Sequence, residues 1–142
     1  MAIPTKLTLE VVTPDRLLIR EQVDEVVVPG KEGDFGVLPG HAALLASLKV
    51  GELWYRQGQE KHYLSVAFGF VEVLPDQVTV LAQVGERAAE IDIERAERAK
   101  RRAEERLAQP VPASSLDYER ARIALMKSIV RLQVASRART RV

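Results

Sequence analysis

Glycine stops at residue 85. All eight glycines of this 142-residue chain (Gly30, Gly33, Gly36, Gly40, Gly51, Gly58, Gly69 and Gly85) lie in its first 85 positions, and none follows. Glycine permits tight turns and positive-φ backbone but weakens a helix interior. One end of the chain is therefore suited to turns and sheet, the other to helix. Charge changes sign at the same place: residues 1–85 hold 7 basic and 11 acidic side chains, residues 86–142 hold 14 and 9. Two domains follow, 1–85 and 86–142.

The first part reads as all-β. Leu7, Leu9 and Val11 alternate with Thr8 and Glu10, which predicts a half-buried strand ended by Thr13-Pro14-Asp15. Val23, Val26 and Val28 run into Pro29-Gly30, read as a break. Leu53 and Tyr55 precede a Gln57-Gly58-Gln59 turn. Leu64, Val66 and Phe68 run to Gly69, and Phe70, Val71 and Val73 follow. After the Pro75-Asp76-Gln77 turn, Val78, Val80, Ala82 and Val84 alternate again. Seven or more short strands at this spacing suggest a sandwich or barrel. Trp54 reads as core or strand-flank packing.

The second part reads as an antiparallel helical hairpin. Residues 91–108 are rich in Ala, Glu and Arg, all strong helix formers. Asp92 stands at an N-cap position, with Ile91 before it able to pack back. Ala96, Ala99, Ala103 and Leu107 make a narrow stripe. Pro110 and Pro112 break the helix, and Ser115 or Asp117 caps a second. Its stripe is Ala121, Leu125, Ser128, Leu132 and Ala135, at coiled-coil spacing. A further set (Ile123, Met126, Ile129, Val130, Val134) makes this face wider than alanines can cover. Arg137 to Arg141 is expected to fray.

Composition narrows the function. The chain has no cysteine and only two histidines, His41 and His62. Disulfides, thiolate zinc sites and thiol chemistry are excluded, and no phosphate-binding Gly-x-x-x-x-Gly-Lys loop is present. An enzyme is not expected. No apolar run approaches the ~20 residues needed to span a bilayer, and Met1 to Glu10 lacks the pattern of a signal peptide; a cytosolic setting fits. An alternative is a nucleic-acid binder using the basic hairpin (Arg98, Lys100, Arg101, Arg102, Arg106, Arg120, Arg122, Lys127, Arg131, Arg137, Arg139, Arg141). The acidic β part and the lack of an aromatic stacking set count against it.

Two stretches carry a resemblance. One is Glu32-Gly33-Asp34-Phe35-Gly36-Val37-Leu38-Pro39-Gly40-His41-Ala42. The other is Val78-Thr79-Val80-Leu81-Ala82, followed by Glu86-Arg87-Ala88 and Ile91-Asp92-Ile93-Glu94-Arg95-Ala96. Together they resemble the epsilon subunit of the bacterial F-type ATP synthase, from Leu7 to about Val134. That resemblance implies a β-sandwich of about ten strands and a C-terminal helical hairpin. It implies a non-catalytic rotor subunit that binds the gamma subunit and the c-ring. The hairpin would fold against the sandwich or extend along gamma toward the alpha and beta subunits, restraining ATP hydrolysis. The protein would be peripheral, on the cytoplasmic face of the bacterial inner membrane, touching the membrane only indirectly.

The resemblance also implies site residues. Glu32 and Asp34 match acidic positions that face polar loops of the c-ring, and His41 matches a position near that face. Ile91, Asp92, Arg95 and Ala96 match a motif that binds ATP in some members, with Glu86, Arg102, Lys127 and Arg131 as further candidates. No cofactor is required. ATP, with or without magnesium, would be a regulatory ligand. Lys127 stands where the best ATP binders carry arginine, and a lysine lacks the planar fork that suits phosphate. Asp92 also reads simply as an N-cap, and Arg95 as an ion-pair residue.

Overall fold

A computed structural model describes residues 3–110 and 112–139. The chain forms two compact units that divide between Arg87 and Ala88. The division falls two residues later than the last glycine suggests, because the final strand continues past Gly85 and pairs Glu86 with Ser65 and Arg87 with Leu64.

The described residues of the first unit form eight strands: β1 (Leu7–Thr13), β2 (Arg16–Val23), β3 (Glu25–Gly30), β4 (Gly33–Val37), β5 (Leu44–Leu48), β6 (Gly51–Gln57), β7 (Glu60–Val73) and β8 (Gln77–Arg87). The sheet order is β2-β1-β8-β7-β5-β3-β4, and β6 pairs with β3 and β7. β1 and β8 run parallel, with Leu9 opposite Val78 and Val11 opposite Val80. Every other pairing is antiparallel.

The expected count of about ten strands becomes eight for a physical reason. β7 is one 14-residue strand, and it runs unbroken past Gly69. Its first half pairs with β6 and its second with β5, while β8 follows it along both halves. A bend at Phe68 and Gly69 (φ 59° and 121°) folds this long ribbon. Leu64 and Val66 are buried before the bend, Val71 and Val73 after it, so inward positions switch from even to odd numbers. A Cβ on Gly69 would stand 1.9 Å from the Leu81 carbonyl oxygen. Side chains from both halves meet in one core that takes Leu7, Leu9 and Val11 from β1, Val26 and Val28 from β3, Leu53 from β6, and Val78 and Val80 from β8.

Local details follow the chemistry of the turns. Gly58 takes φ 63° between β6 and β7. Pro29 and Gly30 lie inside β3, paired with Asp34 and Gly33, so the chain turns at Lys31 and Glu32 instead. Trp54 is half-buried at the strand flank, with the Lys61 ammonium 4.4 Å from its ring centre. At one end of the unit, Asp24 accepts hydrogen bonds from Lys6 and from the Gly58 N–H and lies near Arg56. These partners hold its carboxyl below the usual carboxylate range, the Lys6 hydrogen bond most of all.

The second unit starts with a short 3-10 turn, Ala88–Glu90, and continues as α1 (Ile93–Leu107) and α2 (Leu116–Arg139), which pack together. Asp92 caps α1 by accepting from the Arg95 N–H at 3.0 Å. Ser115 caps α2, its hydroxyl accepting from the Tyr118 N–H. The seam is small-residue on both sides: Ala96 and Ala103 are buried on α1; Ala121, Ser128 and Ala135 on α2. Leu107, Leu125 and Leu132 are half-buried at its margins. Of the wider set on α2, Val134 is buried, Ile123, Met126 and Val130 are half-buried, and Ile129 is 44% exposed. Arg137 and Arg139 lie within α2 rather than in a frayed tail, while Val111 and Arg141 fall outside the described residues.

Replacing Gly69 with alanine should destabilise the first unit by more than ~2 kcal/mol, since it meets both a steric clash and a left-handed φ. At Gly58, where the space is open, alanine should cost only about 1 kcal/mol. Urea unfolding followed by fluorescence of Trp54, the sole tryptophan, measures both. The depressed carboxyl of Asp24 means that the unfolded chain binds its proton first as pH falls. Its stabilising contribution is present above about pH 4 and lost below. The urea midpoint should therefore fall less between pH 6 and pH 3 in Asp24→Asn than in the parent.

Candidate functional site

Two surfaces of the first unit and one face of the second collect the candidate residues. The β3–β4 hairpin is short: only Lys31 and Glu32 separate the strands, and Gly33 (φ 134°) starts β4. Glu32 is exposed at the tip, and Asp34 is a strand residue with its carboxylate 3.2 Å from the Lys49 ammonium. Half of the stretch from Glu32 to His41 is therefore strand, Gly33–Val37, and the rest is turn and connection. Glu32 and Asp34 share an open groove of about 680 Å3 with Phe35, Leu44, Leu45 and Ser47. His41 does not line it. That ring is half-buried in the connection before β5, and its Nδ1 donates to the Ala42 carbonyl oxygen at 2.6 Å.

The second surface was not singled out in the sequence. Register places Leu17 opposite Val12, Val12 beside Leu81, and Leu81 opposite Phe70, an apolar row crossing β2, β1, β8 and β7. Leu17, Leu81 and Phe70 are 53%, 52% and 56% exposed. The next row on the same face is polar: Arg20 pairs with Glu10 at 3.4 Å, followed by Thr79 and Glu72. Large apolar side chains gathered on one exposed face mark an interaction site. The signal was present as runs that break alternation (Leu17-Leu18-Ile19, Phe70-Val71, Val80-Leu81-Ala82), where both faces of a strand are apolar.

On the second unit, Arg95 and Arg102 are exposed, seven residues apart on one face of α1. Lys127 and Arg131 stand four apart on α2 and are both half-buried; each is already engaged by other groups. Ala96 is wholly buried in the helix seam and Ile91 nearly so, so neither offers a side chain to a ligand. Asp92 spends one carboxylate oxygen on the cap. Glu86 belongs to β8, in the first unit. The exposed guanidiniums of Arg95 and Arg102 have the chemistry to hold phosphate oxygens. Among the described residues no group of His, Cys, Asp or Glu could hold a metal ion.

Comparison with known proteins now decides the family. Residues 6–88 match the family model described as ATP synthase, Delta/Epsilon chain, beta-sandwich domain, and residues 89–136 match its long alpha-helix domain. The chain belongs to the ATP synthase delta/epsilon family. It is 50% identical over 132 residues to the ATP synthase epsilon chain of Syntrophobacter fumaroxidans, covering 93% of this chain and 97% of that protein. The epsilon chain of Nitratidesulfovibrio vulgaris is 48% identical over the same length and shares. Among solved structures, a chain of the Euglena gracilis mitochondrial ATP synthase (OSCP, F1 and c-ring) superposes with a TM-score of 0.79 at 25% identity, covering 98% of this chain and 84% of that one. The family assigns a non-catalytic stalk subunit within a complex whose other subunits catalyse. A nucleic-acid role has no support. No helix among the described residues is long and apolar enough to cross a membrane.

Asp92→Ala should lower the melting temperature of the helical unit, by a loss of about 1 kcal/mol. Asp92→Asn should keep it, because an amide oxygen still caps α1. Far-UV circular dichroism of the full chain compares the two, and a Kd for ATP measured on Asp92→Asn then reports the charge alone.

Proposed function

We propose that this chain is the rotor-stalk subunit that links a c-ring to the catalytic head and restrains ATP hydrolysis through its helices. The apolar row Leu17–Val12–Leu81–Phe70 carries the stalk half of this reading. It fits an apolar face of the gamma subunit, while the acidic hairpin tip at Glu32 and Asp34, with His41 beyond it, addresses the polar loops of the c-ring. Exposed ion pairs contribute only ~0–1 kcal/mol each, so the acids set register while apolar contact supplies affinity. The setting is the cytoplasmic face of the bacterial inner membrane, reached through other subunits.

The helical unit supports the regulatory half. An alanine seam buries little area, and at ~25 cal/mol per Å2 its cohesion is modest. Ile129 and its half-buried neighbours remain available to the gamma, alpha and beta subunits when the helices extend. The basic residues of α2 then meet acidic surface of the beta subunits. ATP, clamped by Arg95 and Arg102 with Lys127 and Arg131, would hold the helices folded. At a concentration ~100 times its Kd it would favour that state by about 2.7 kcal/mol.

Charge reversal at both Glu32 and Asp34 should weaken retention on membranes carrying the c-ring and lower proton-coupled synthesis in reconstituted vesicles, with the isolated fold unchanged. Unaltered coupling would remove these residues from the interface. A chain ending at Arg87, which keeps the whole of β8, should assemble and sustain synthesis yet hydrolyse ATP faster than the parent complex; equal rates would show that the helices impose no restraint. Calorimetry with ATP and magnesium on the full chain tests the ligand.

A further inference from the structure

The groove beside the β3–β4 hairpin has a backbone feature that its side chains conceal. β5 is paired with β7 along its whole length, but on its other side it meets β3 only at Leu48 and Gly30. There the Lys31 N–H donates to the Ser47 carbonyl oxygen at 2.8 Å, and the Lys49 N–H donates to the Pro29 carbonyl oxygen at 3.1 Å. Ser47 and Lys49 therefore turn their backbone groups toward β3. Strand alternation turns those of Leu45 the same way, and those of Leu44 and Ala46 toward β7. β3 has ended by that point, and the chain has turned back through Glu32 into β4. The N–H and carbonyl of Leu45 thus face the groove, and no strand of the described residues lies opposite them.

The rest of the groove suits the same occupant. Leu45 is 71% exposed and Leu44 40% exposed, and Phe35 is half-buried among the lining residues. At the lip, Asp34 is neutralised by Lys49, whereas Glu32 has no ion pair among the described residues. An exposed strand edge carrying large apolar side chains is a template for pairing, and β-strand addition draws affinity from the backbone and specificity from alternate side chains.

We propose that β5 receives an extended segment of a neighbouring protein subunit, which continues the sheet where β3 stops. The segment pairs with the Leu45 N–H and carbonyl, sets an aliphatic side chain against Leu44 and Phe35, and presents an adjacent lysine or arginine to Glu32. The inference rests on the stalk reading, and it names a binding mode which that reading does not require.

Single-residue hydrogen exchange on the isolated full chain and on the assembled ATP synthase tests it. In the isolated chain, the Leu45 amide should exchange as an open amide while those of Leu44 and Ala46 are protected. In the complex, exchange at Leu45 should slow at least a hundredfold. Leu45→Pro removes only a donor that the isolated fold leaves unused, so its melting temperature should match that of Leu45→Ser. Its retention in the complex should fall at least tenfold below that of Leu45→Ser, which keeps the N–H. Entry into the complex with the Leu45 amide still open, or equal retention of the two variants, would overturn this proposal alone. Failure of the parent chain to enter the complex would overturn the stalk reading and the proposal together.

Discussion

The β unit depends on one close approach, that of the Gly69 backbone to the carbonyl of Leu81. Two long strands cross there, and no side chain fits between them. The bend makes it possible for β7 to pair with β6 before it and β5 after it, and for β8 to stay in contact with both halves. A flat ribbon of this length would leave one apolar face in water. Folding it brings Leu64 and Val66 from one half into the same core as Val71 and Val73 from the other. The outer surfaces inherit their layout from that crossing, because Phe70 directly follows Gly69 and Leu81 owns the carbonyl that Gly69 meets.

Much of this was legible from residue order. Leu7, Leu9 and Val11 alternate and are buried; Asp92 caps a helix; Ala96 and Ala103 lie in a seam. In each case a local preference and the tertiary environment agree. The break at Pro29-Gly30 was misread because proline and glycine signal turns locally, while pairing with Gly33 and Asp34 keeps both in β3. Gly69 stands between two apolar runs in the sequence and is the hinge of one strand, a role that a glycine in a strand pattern does not announce. The apolar row at Leu17, Leu81 and Phe70 exists only through register across four strands, two from the start of the unit and two from its end. Likewise, the free edge at Leu45 follows from where β3 ends, which no residue of β5 announces.

The two units solve the problem of holding partners differently. The β unit has a core filled by branched and aliphatic side chains and offers its partners fixed surfaces. The helical unit is joined by alanine and serine methyl and hydroxymethyl groups, which pack closely but bury little. Its wider apolar face outlasts what that seam covers. The proposed exchange of partners by the helices needs such a division, a well-packed β unit beside a helix pair joined by a narrow seam.

The parallel pairing of β1 with β8 also bears on how the chain is made. Leu9 waits for Val78, and every residue between them must be synthesised first. At ~5–20 residues per second this is an interval of roughly 3–14 s, in which β1 can pair only with β2. The strand set is completed just as the helices begin to follow it from the ribosome. A nascent chain of this protein therefore exposes an apolar strand edge for about half of its synthesis, the 69 residues from Leu9 to Val78 out of 142, and is a natural client for whatever shields such edges in the cell.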